Sequence, residues 1–111
     1  MVENARIQGE YMREELRRLK EYHPSIGDVR GMGLLVAVEL VKNRETKEQF
    51  TEADDLNHKM TDALKRRGLL SRAGANIALA PPLCIQREEV DEIVGIVDEA
   101  IGEVETMLGI V

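Results

Sequence analysis

The chain has 111 residues, 43% of them hydrophobic and 32% charged, with a net charge of −6. That length suits one domain with its own core, and the acidic balance speaks against a nucleic-acid backbone as partner. One cysteine, Cys84, excludes an intramolecular disulfide and suits a reducing cytoplasm. His23 and His58 have no ligand-like spacing to it, so no metal centre is expected. No apolar run reaches the length of a membrane span, and the charged N-terminus lacks the apolar core of a signal peptide.

The spacing of Ala5, Gly9, Met12, Leu16 and Leu19 predicts a helix over 3–22 that Pro24 ends. Its apolar stripe is narrow, and nothing before Glu3 reads as a cap, as if the helix had been cut into. Ile26 to Arg30 reads as a short strand, and Gly31-Met32-Gly33 as a turn or a close backbone approach. With no glycine-rich continuation or helix after it, this is not a phosphate loop. Leu34 to Val41 is apolar on both alternating faces except at Glu39, which predicts a central strand covered on both sides. A domain this small would need a partner to cover the second side.

Lys42 to Gln49 is a charged loop. Thr51-Glu52-Ala53-Asp54 has the form of a capping box, and Leu56, Met60, Ala63 and Leu64 continue as a helical stripe. Lys65, Arg66 and Arg67 complement that helix's carboxyl end, and Gly68 stops it. His58 lies off the stripe, as a solvated side chain. Residues 69–85 then read as a β-hairpin. Two apolar runs flank a small Gly/Asn turn, Pro81-Pro82 closes the second, and Arg72 sits near the tip. An arginine beside a turn is commonly a solvated charge, but its planar fork can also grip both oxygens of a carboxylate. Arg87 to Leu108 is the clearest helix, with Val90, Ile93, Val94, Val97, Ala100, Ile101, Val104 and Leu108 on one face. Its many acids read as a solvated face, with nothing to bury or polarise them as an acid/base pair.

Several stretches taken together resemble a known family. They are Asp28-Val29-Arg30-Gly31-Met32-Gly33-Leu34, Val38-Glu39-Leu40-Val41, Asn43-Arg44-Glu45-Thr46-Lys47-Glu48, Gly68-Leu69-Leu70-Ser71-Arg72, Asn76-Ile77-Ala78-Leu79-Ala80-Pro81-Pro82-Leu83 and Arg87-Glu88-Glu89-Val90-Asp91. In that order they resemble the carboxyl-terminal small domain of class III aminotransferases, with a slight lean to the ω-amino acid:pyruvate branch. Gln86 departs from the threonine cap common in the family.

The resemblance implies an α+β fold over residues 1–111 as a single domain. Its antiparallel sheet would have three to four strands and carry helices mainly on one face. It implies pyridoxal 5′-phosphate as cofactor of a parent enzyme acting on small amino and keto acids, a cytoplasmic homo-oligomer. The lysine-bearing large domain would be missing here. Lys20, Lys42, Lys47, Lys59 and Lys65 lie on helix surfaces, at a helix end or in the charged loop, where a Schiff-base lysine is not expected. The chain alone is therefore expected to be inactive and to self-associate through its uncovered sheet face. By position, Arg72 is similar to the family's substrate-carboxylate arginine; Arg30, the rival cation, is given a structural role. The alternative is a stand-alone, non-catalytic module that binds a small carboxylate or regulates.

Overall fold

A computed structural model describes residues 2–69, 73 and 75–110. Helix α1, Val2–Arg18, runs on through a 3-10 turn, Leu19–Glu21, and is followed by strands β1, Ile26–Met32, and β2, Leu35–Leu40. A second 3-10 turn, Glu52–Asp54, leads into α2, Leu56–Arg66; then come β3, Asn76–Leu79, and α3, Arg87–Leu108. The three strands form an antiparallel sheet in the order β1-β2-β3. The fold is α+β, and the expected central strand is central.

Register sorts the strands into two faces. Val29, Val38 and Ile77 are cross-strand partners and all buried, as are Val36 and Leu79 one step along and the Ile26–Leu40 pair at the far end. Helices cover this side. α1 packs along β1 and β2, while α3 packs against both α1 and α2. The opposite face carries Leu35, Ala37 and Glu39 of β2, and within this chain it stays open, the side for which the sequence called for a partner: Leu35 is 67% exposed. Three helices are enough to bury one face of so small a sheet. A register shift at Gly27, between Ile26 and Asp28, keeps both Ile26 and Val29 buried although they are three residues apart.

Close approach seats α1. A Cβ built on Gly9 would stand 1.9 Å from the Gly33 carbonyl oxygen, and the Arg13 Nη1 donates to that same oxygen at 2.5 Å. Gly33 itself takes φ +56° to turn β1 into β2. At the other end of α1, Asn4 Nδ2 donates to the carbonyls of Leu83 and Ile85 at 2.9 and 3.0 Å, which fixes the chain after Pro81-Pro82. Tyr11 donates its hydroxyl to Asp91, and Arg87 stacks 4.1 Å over the Tyr11 ring.

Two local expectations are corrected, and a third position is explained. The Thr51–Asp54 box is real, with Thr51 N donating to Asp54 Oδ2 at 2.8 Å, but it caps a 3-10 turn; Asp55 at φ +50° then breaks the chain before α2 begins. Leu69 does not begin a strand: its N–H returns to the Leu64 carbonyl at 3.0 Å, just past Gly68 at φ +90°, and so closes α2. The strand β3 pairs with β2, and the rest of the expected first hairpin run, Leu70 to Arg72, lies outside the described residues. Gln86, which lacks the short side chain of a strong cap, still begins α3, because its N–H donates to Glu89 Oε1 at 3.0 Å.

Candidate functional site

The open face of the sheet is the first candidate. Leu35, Ala37, Ala78 and Ala80 floor a shallow, mainly apolar depression of about 320 Å³, with Arg30 on its margin. Met32, paired with Leu35 across the strands, is also well exposed and extends the apolar strip. Arg30 Nη2 meets Glu39 Oε2 at 2.8 Å, so this cation already has a carboxylate of its own chain beside it. A cross-strand ion pair is a structural use of Arg30.

Arg72, with Leu70, Ser71 and Gly74, lies outside the described residues. Its described flanks are held on both sides. Leu69 is tied to the end of α2, and the Ala75 carbonyl accepts from Leu40 N at 2.7 Å where β3 joins β2. Thr61 Oγ1 donates to the Ala73 carbonyl at 3.5 Å.

A second constellation has no counterpart among the sequence expectations. Glu105, read as part of a solvated acidic face, is 2% exposed, and its burial comes from three donors. Its Oε2 accepts from Ser25 N at 3.0 Å and from Ser25 Oγ at 2.6 Å, while Oε1 lies 2.7 Å from His23 Nδ1. His23 Nε2 faces Asp98 Oδ1 at 2.5 Å. Burial of the ring works against its charge, but the hydrogen bonds to Asp98 and Glu105 outweigh that and raise the His23 pKa above its ordinary value. Ser25 Oγ donates to the carboxylate and not to the ring, so the cluster holds no activated nucleophile. A signal for it existed. Glu105 follows Ile101 by one helical turn on the apolar side of α3, where a lone acid implies a buried partner.

The basic run at the end of α2 does more than complement a helix dipole. Arg67 Nη1 donates to the Ala63 carbonyl at 2.9 Å, but Arg66 and Arg67 also converge on Glu103 of α3, Arg67 Nη2 at 2.9 Å. Hydrogen bonds from Arg66 and Arg67 hold the Glu103 carboxyl below the usual carboxylate range.

The described residues do not fit the cofactor that the family resemblance implies. Lys47 and Lys65 are exposed, Lys42 Nζ sits 3.2 Å from Asp54 Oδ1, and Lys59 Nζ donates to the Asp54 carbonyl at 2.6 Å. Lys20 is half-exposed on a 3-10 turn. None is enclosed in apolar surroundings, as an amine that forms a Schiff base at neutral pH must be. The helix N-termini are equally unsuited to a phosphate. Glu3 stands in the first turn of α1, Glu88 and Glu89 in that of α3, and Glu52, Asp54 and Asp55 precede α2.

Comparison with known proteins agrees with this geometry. Residues 1–101 match the family described as aminotransferase class-III. The chain is 38% identical over 104 residues to an uncharacterized aminotransferase of Sinorhizobium fredii, covering 91% of this chain and 22% of the relative. It is 37% identical over 118 residues to a taurine–pyruvate aminotransferase of Bilophila wadsworthia, covering 99% and 25%. A thermostable (S)-enantioselective omega-transaminase from Thermomicrobium roseum matches with a TM-score of 0.88 and 41% identity, over 92% of this chain and 23% of that one. The chain therefore spans about a quarter of the length of the relatives it matches. With nine-tenths of its residues inside the family match, and with its fold shared, this chain belongs to the class III aminotransferases.

Proposed function

We propose that the chain is the carboxyl-terminal domain of a pyridoxal-phosphate transaminase. The parent would move an amino group from an ω-amino acid or amine to a keto acid such as pyruvate. The domain's share is one wall of the substrate site, with Arg72 as the clamp on the substrate carboxylate. The observation that carries this reading is the family match over residues 1–101 in a chain whose sheet keeps one apolar face open. A planar guanidinium pairs bidentately with a carboxylate, which suits Arg72 to that role. The Schiff-base lysine and phosphate site would come from a large domain seated on the open face. Without that domain the face is expected to self-associate. A homodimeric parent in the cytoplasm is the assembly and place we assign to it.

The test starts from the longest reading frame that contains this chain. Its product is expected to bind pyridoxal phosphate and to lose the cofactor's visible absorbance when β-alanine is added. Arg72→Ala should lower kcat/KM for β-alanine by roughly 30- to 5,000-fold, the equivalent of about 2–5 kcal/mol for a lost buried partner. An amine without a carboxylate should be far less affected. An equal fall for both substrates would remove the clamp. If no large domain precedes the chain, or no cofactor binds, the alternative stands: a small-carboxylate-binding module, measurable by titrating the chain with β-alanine in a calorimeter.

A further inference from the structure

The geometry points to a proton-operated latch between α3 and the α1–β1 junction: His23 is an imidazolium bridging Asp98 and Glu105, and losing its proton releases Asp98 while Glu105 stays bound. The inference is independent of the proposed function. It begins from donor arithmetic. Both ring nitrogens face carboxylate oxygens, Nδ1 at 2.7 Å and Nε2 at 2.5 Å. Ionised carboxylates only accept, and a neutral imidazole has one N–H, so a neutral ring would set a lone pair against an oxygen on one side. Only the imidazolium donates at both.

The two carboxylates are unequal. Glu105 is buried and takes two further donors from Ser25, which fix its carboxylate in place against Nδ1. Asp98 is 47% exposed and can turn to water when Nε2 is deprotonated. Asp98 and Glu105 lie seven residues, two turns, apart on α3, so the protonated ring ties the helix at two points and the neutral ring at one.

The charged groups around His23 are few. From α3 come Asp98 and Glu105; Gly102, whose Cβ position lies 3.5 Å from His23 Cε1, leaves room for the ring between them. From the loop after β2 comes the Arg44 guanidinium, which donates to the carbonyls of His23 at 2.7 Å and Lys20 at 2.8 Å and holds the backbone from the other side. The raised His23 pKa agrees with this arrangement. Stability from the latch is whole below the ordinary histidine pKa and fades as pH rises through the folded value.

The experiment is a pH series on the full chain. In a His58→Gln background the single ring signal in ¹⁵N-histidine NMR should report an imidazolium at neutral pH. It should titrate at higher pH folded than in urea. Hydrogen exchange of peptides over residues 95–103, corrected for intrinsic rate, should show an opening step at that same midpoint. The opening ratio should rise about tenfold for each unit separating the folded and opened midpoints. Asp98→Asn, at a half-exposed position that tolerates change, should lower the midpoint and shrink the step. A neutral ring at pH 7, an α3 protection flat through the midpoint, or an unchanged midpoint in Asp98→Asn would each overturn the latch.

Discussion

The two faces of β2 differ more than any other pair of surfaces in the molecule. Val36, Val38 and Leu40 point to the helices and are at most 3% exposed, while Leu35 on the same strand is 67% exposed. Both faces are apolar in sequence, yet only one is used within the chain. The covered face is stabilised by dense packing, as Gly9 against Gly33 shows. The open face carries the Arg30–Glu39 ion pair, alanines, and the exposed Leu35 and Met32. The fold gains little from an apolar strip left at its surface. The lesson is that apolar alternation reports what a strand will bury against something, and the partner need not lie in the same chain.

Substitutions on the two faces should separate these roles. Leu40→Ala, on the covered side, is expected to cost about 2–5 kcal/mol by leaving a cavity in the core. Leu35→Ala should change stability by no more than about 0.5 kcal/mol, as at other surface sites. Urea denaturation of both variants measures the contrast, and equal losses would break it. Gly9→Ala comes next. Its methyl cannot coexist with a carbonyl oxygen at 1.9 Å, so α1 must lift from the β1–β2 turn, at about 1–3 kcal/mol. A wild-type melting temperature for that variant would show that the approach of helix to turn is not tight.

The acid–base state of His23 adds a smaller, pH-dependent difference on the covered side. With its pKa raised in the folded chain, stability should fall between the ordinary histidine value near pH 6.5 and the raised one, and this fall should vanish in His23→Gln. Thermal melts across pH 6 to 9 would record it. The smallest effect is expected for Arg30→Ala. Its pair with Glu39 is exposed, so the loss should stay below about 1 kcal/mol and shrink further in salt.

Reading the chain alone found the elements whose signals are local. The Val90–Leu108 periodicity matches α3 from Arg87 to Leu108, Gly68 closes α2, and Gly33 makes the β1–β2 turn. The order of motifs also sufficed to identify the family, since residue identity is all such a match needs. What could not be read are the partners distant in sequence. The strand after Asn76 pairs with β2 some forty residues earlier, and a strand's own pattern does not say which edge it joins. Glu105 was assigned to water and is buried, because its donors on Ser25 and His23 are 80 and 82 residues away. Most helix spans, the turns and the apolar faces depend on neighbours within a few residues, and residue order was enough to find them. Which face of the sheet is covered and which acids are dry followed only from the packed chain, because solvation depends on what distant segments bring alongside.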